Sequence, residues 1–160
     1  MIFFNFSNLF TMEYYLYLKL AHILCAIIAL GANMTYGVWL ALAKKQPEAT
    51  IFALRGIKRV DDWVANPAYF VALITGHIMI VVADIPFTTT WVWLANALFI
   101  VQGLLALPFY TPLVKKQIAV AETQGVESEE FRRVERRANP LGWSLVLLGL
   151  AIVAVMVFKP

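Results

Sequence analysis

The chain has 160 residues, of which 61% are hydrophobic and only 14% charged, with a formal charge of +3 and a mean hydropathy of +0.74. A soluble domain carries about 25% charged residues, so the composition excludes an ordinary water-soluble enzyme. The basic residues lie beside long apolar runs, where they report membrane topology rather than nucleic-acid binding.

A bilayer core of ~30 Å takes about 20 apolar residues per helix, and four such runs follow one another. Together they predict an all-α bundle of four transmembrane helices in a single domain, residues 1–160. Ahead of the first run, Met1–Thr11 is rich in Phe and is expected in a membrane interface; Met12 offers an alternative translation start. No secretory signal is evident, because no Lys or Arg precedes the apolar stretch and no small-residue cleavage site follows.

The first span is predicted over 14–43, longer than one bilayer requires. It holds His22 and the lone cysteine, Cys25, which excludes an intrachain disulfide. A basic loop, 44–63, comes next. The second span, 64–84, is read as opening at Asn66-Pro67, since Asn caps helices and Pro suits their first position; it carries Gly76 and His77 and closes at Ile85-Pro86. The third, 91–112, follows a Thr88-Thr89-Thr90 turn and contains Asn96 and Gln102, expected to bond across helices. Pro108 is expected to bend its inner end. The second basic loop, 113–139, includes an amphipathic stretch, Glu127–Arg137, with Glu129 and Arg133 placed as an i,i+4 pair. The fourth span, 140–158, opens at Asn139-Pro140.

The two loops hold eleven of the thirteen basic residues, leaving Lys19 and Lys159 toward the other side. The positive-inside rule places both loops in the cytoplasm and both termini outside, as in a multi-pass protein of a bacterial inner membrane. The loops also resemble each other. Lys44-Lys45-Gln46 matches Lys115-Lys116-Gln117, and Ala65-Asn66-Pro67 matches Ala138-Asn139-Pro140. A glycine, Gly76 or Gly149, lies eleven residues past each Ala-Asn-Pro. Two pseudo-repeated parallel hairpins are expected.

His22 and His77 are the only histidines. Each is eight residues from an outer boundary, so both lie roughly 12 Å deep. Ionisable groups inside a bilayer face the bundle interior and take a partner. Matched depth on neighbouring helices suits one metal centre, and His is an axial haem ligand. The expected cofactor is therefore a haem b between His22 and His77, with Gly76 leaving room for the porphyrin. The competing reading gives each His a carbonyl or hydroxyl partner on a neighbouring helix. A proton relay with Asp84 and a transition metal are further alternatives. No nucleophile with its base, no phosphate loop and no paired carboxylates stand out, so whether the chain is an enzyme stays open.

Tyr17-Leu18-Lys19-Leu20-Ala21-His22-Ile23-Leu24, the Asp61-Asp62-Trp63 segment leading to Pro67, and Gly76 resemble an uncharacterised bacterial family of integral membrane proteins within the CopD-like superfamily. That superfamily includes HemJ-type protoporphyrinogen oxidases, whose membrane histidines bind haem b; the resemblance matches His22 to such a ligand. Three roles stay open: haem-based electron transfer, a cofactor-free accessory subunit packed in a larger membrane complex or homodimer, or, as the resemblance implies, a HemJ-like oxidase.

Overall fold

The computed structural model describes residues 6–44 and 46–160. Four long helices account for nearly all of them: α1 (Phe6–Ala43), α2 (Pro47–Val82), α3 (Thr90–Gln124) and α4 (Glu129–Phe158). No strand occurs among the described residues. All four helices are long and apolar enough to cross a membrane. All four exceed what crossing needs: the 36 residues of α2 span about 54 Å at ~1.5 Å per residue.

The surplus corrects the expected loops. Residues 44–63 and 113–139 are mostly helix, not loop. The true connections at that end are the short turn between Ala43 and Pro47, which includes Lys45 outside the described residues, and the turn Gly125–Ser128. Helix starts lie earlier than expected for a physical reason. Pro47 takes the first position of α2, with Gln46 as its cap, where a missing N–H costs nothing. Ser128 caps α4, its hydroxyl accepting from Phe131 N at 3.2 Å, with Glu129 and Glu130 in the first turn. Asn66-Pro67 and Asn139-Pro140, expected to open helices, instead lie within them. At Asn66 the helix widens into a π turn, Asp61–Ala65, with Asn66 N–H bonding the Asp61 carbonyl. A second π turn, Ala106–Tyr110, precedes Thr111-Pro112, with Thr111 N–H bonding the Ala106 carbonyl. One added residue per turn accommodates the proline ring, which clashes with the carbonyl four residues back. Pro108, expected to bend this region, sits inside the second π turn.

The helix extensions form a soluble-type core. Residues 47–60 bury Thr50, Ala53, Leu54 and Ile57, at helical spacing. Leu54 packs with Val120, Ala121 and Phe131, drawing in Leu40, Ile51, Ile118 and Val126. Ion pairs ring this core: Lys44–Glu135 at 3.5 Å, Arg55–Glu122 at 2.7 Å and Lys116–Glu130 at 2.6 Å, each joining two helices. Arg133 pairs with Glu130 at 3.7 Å, rather than with Glu129 as expected. This basic end ties the bundle together. At membrane level each hairpin, α1 with α2 and α3 with α4, is closely packed within itself, and large apolar side chains such as Leu16, Ile27, Phe70 and Leu147 are exposed. That surface is the one lipid covers.

Two of the three repeat landmarks occupy comparable places. Ala65 and Ala138 are both buried, and Gly76 and Gly149 both receive side chains from neighbouring helices. The third differs: Lys44 and Gln46 lie between α1 and α2, whereas Lys115-Lys116-Gln117 lies within the last ten residues of α3.

Candidate functional site

His22 points from α1 onto α2. Its Nδ1–H donates to the Ala72 carbonyl at 2.8 Å, with Thr75 Oγ1 at 3.3 Å. Gly76 is the seat of this ring: a Cβ there would lie 3.0 Å from His22 Cε1. Gly76 thus makes room for an imidazole, where space for a porphyrin was expected. His77 Nδ1–H donates within its own helix, to the Leu73 carbonyl at 2.8 Å, and its ring lies beside Phe87, with centroids 6.0 Å apart. A carbonyl only accepts, so in both rings Nδ1 carries the proton.

The two histidines meet different neighbours. His22 meets α2 at the level of residues 72–76, within about a turn of His77. At ~100° per residue, however, His77 leaves α2 about 140° around from Ala72. Each ring is bonded separately, His22 across to α2 and His77 within its own helix. No group of three or more His, Cys, Asp or Glu among the described residues could hold a metal ion. No hydrogen bond joins His77 to Asp84, which sits exposed in the following turn with φ 50°. Asn96, expected to bond across helices, bonds its own Val92 carbonyl at 2.9 Å.

The larger site lies elsewhere. Between the two hairpins, on the side toward the basic end, is a cavity of about 360 Å³. Its walls are largely apolar, with Leu40, Leu54, Ile57, Leu73 and Phe99 among them. Met34, Phe70, Leu107 and Trp143, also on its wall, are more than half exposed or nearly so on the lipid-facing surface. Both π turns contribute, through Asp61, Ala106, Leu107 and Tyr110; π turns recur at functional sites.

A polar network crosses this cavity and touches all four helices. Asn33 Nδ2 of α1 donates to Tyr69 Oη of α2 at 2.8 Å, and Gln102 Nε2 of α3 lies 3.3 Å from the same oxygen. Gln102 Nε2 also lies 3.4 Å from the Leu145 carbonyl of α4. That carbonyl accepts only, so the amide nitrogen faces it and Oε1 is left over. Gln102 Oε1 and Tyr36 Oη are buried without a hydrogen-bond partner among the described residues, and both residues line the cavity. A buried polar atom without a partner costs ~1–3 kcal/mol. Toward the basic end Asp61 accepts from Asn66 Nδ2 at 3.2 Å, and Tyr110 packs against Gly142 of α4.

Of these residues only Gln102 was singled out from the sequence as a polar group bonding across helices. Tyr36, Tyr69 and Tyr110 carry no such signal, and Asp61 falls in the expected loop 44–63, where it counted only toward the family resemblance. The available signal was that Asp61 stands about 30 Å from the outer end of α2, at the edge of the bilayer core.

Fold and composition define an integral membrane protein whose four helices enclose a partly polar cavity. The chain belongs to the family described as "predicted integral membrane protein (DUF2269)", which it matches over residues 16–160. No curated protein and no solved structure matches it.

Proposed function

We propose that this protein binds a small amphipathic molecule taken from the bilayer, holding it in the cavity between its hairpins. The observation that carries this reading is the pair of stranded oxygens, Tyr36 Oη and Gln102 Oε1, each on a residue more than nine-tenths buried. Walls of aliphatic and aromatic side chains suit an apolar body, and the two oxygens suit a hydrogen-bonding head; such convergence is what ligand sites look like. In this reading the histidines are structural: His22 ties α1 to α2.

The test uses protein in lipid nanodiscs and a photoreactive diazirine analogue of 1-octanol. Saturable labelling of cavity residues, competed by 1-octanol, is expected. Gly103 lines the cavity, and a Cβ there meets nothing within 4 Å, so Gly103→Leu is chosen to narrow the cavity. Labelling that survives this variant unchanged, or falls only on lipid-facing residues, overturns the proposal.

A haem b held by His22 and His77 is a second proposal. One observation favours it: with both Nδ1 atoms bonded to carbonyls, each Nε2 is left in its ligating form. A Soret band in protein made with ample haem, lost in His22→Ala and in His77→Ala, is its expected signature; a colourless preparation defeats it.

A further inference from the structure

We infer that the molecule held in the cavity carries a cationic head, a protonated amine on an apolar tail; this rests on the cavity reading above and names the ligand class. Among the described residues, the only formally charged side chain on the cavity wall is Asp61. It stands at the end nearest the bilayer edge, where an amphiphile's head would lie. Its recorded hydrogen bond comes from the neutral amide of Asn66, and no ion pair reaches it among the described residues. Lys58 shares a narrow recess with Asp61, Tyr36 and Tyr110, but its ammonium is bonded to Asp62, one turn along the same helix face. A carboxylate at the edge of the bilayer core without a bonded counter-charge is free to take one from a ligand.

The chemistry of the other groups agrees. Gln102 Oε1 accepts only, and the Tyr36 oxygen has lone pairs free, so both can receive N–H donors. Tyr36 and Tyr110 also bring aromatic rings to the cavity wall, and aromatic rings attract cations. An anionic head would meet a carboxylate with no cationic side chain on the cavity wall to receive it.

The experiment compares 1-octanol, octylamine and octanoate as competitors of the diazirine label at neutral pH, with the lipid partitioning of each measured on empty nanodiscs. Corrected for partitioning, octylamine is expected to compete at about tenfold lower concentration than 1-octanol, and octanoate at higher concentration. Asp61→Asn keeps an acceptor for Asn66 and is expected to abolish the octylamine advantage. Label still entering the cavity of that variant shows the cavity is formed. Equal competition by octylamine and 1-octanol in the unmodified protein, or an advantage that persists in Asp61→Asn, overturns the cationic head and leaves the cavity standing. Absence of cavity labelling in the unmodified protein overturns both.

Discussion

The two ends of this bundle are built on different principles. At the basic end, amphipathic helix extensions close on a core of Leu54, Val120, Ala121 and Phe131, ringed by ion pairs between helices. At membrane level the hairpins pack within themselves and leave space between them, crossed by the Asn33–Tyr69–Gln102 network. Water drives apolar groups together in the first region. Lipid tails are as apolar as the side chains, so in the second region that force is absent. A membrane protein that is clamped outside the bilayer can therefore keep a cavity open inside it.

Breaking the clamp gives the largest effect. Phe131→Ala removes a buried aromatic side chain and is expected to cost about 3–5 kcal/mol. Thermal unfolding in nanodiscs reads the loss, and limited proteolysis should open the Gly125–Ser128 turn first. Second is His22→Ala, which deletes a bond between helices and empties the space against Gly76; it should cost roughly 1–3 kcal/mol. His77→Ala removes a bond within its own helix and the contact with Phe87 and should cost less, about 0.5 kcal/mol. Equal losses for the two histidines would contradict the different roles assigned to them.

Tyr36→Phe should move stability the other way, by about 1 kcal/mol, because it removes a stranded buried hydroxyl. A lower unfolding midpoint for that variant in ligand-free protein would contradict the unsatisfied state of this oxygen. The smallest effect belongs to the exposed rim. The Lys116 ammonium bonded to Glu130 holds its carboxyl below the usual range, helped by Arg133 and Arg137. A lowered value means the pair's contribution is present above the ordinary glutamate range and lost as pH falls through the lowered one. The midpoint difference between the unmodified protein and Glu130→Gln should be slight at neutral pH and shrink on acidification.

Much of this architecture is legible in the residues. The ends of α1 at Ala43 and α4 at Phe158, the clustering of basic charge and the cross-helix role of Gln102 follow from hydropathy and polarity alone. The helical extensions were legible too, in the spacing of Thr50, Ala53, Leu54 and Ile57, but their charges read as loop. Facing was harder. Depth depends on counting residues, which a sequence allows, whereas facing depends on helix phase and on which neighbour lies alongside. The π turn at Asp61–Ala65 adds a residue, shifting the phase of everything beyond it by about 100° relative to the extension. No period carried across Asn66-Pro67 could place the His77 ring. The cavity draws on all four helices, so no local pattern announces it.

The most direct measurement is an experimental structure of the protein in a lipid nanodisc, at a resolution that shows bound molecules. Non-protein density in the cavity, elongated and ending within about 3 Å of Tyr36 Oη or Gln102 Oε1, is the expected result. Hairpins closed against each other, with both oxygens bonded to protein or to water alone, would contradict the account.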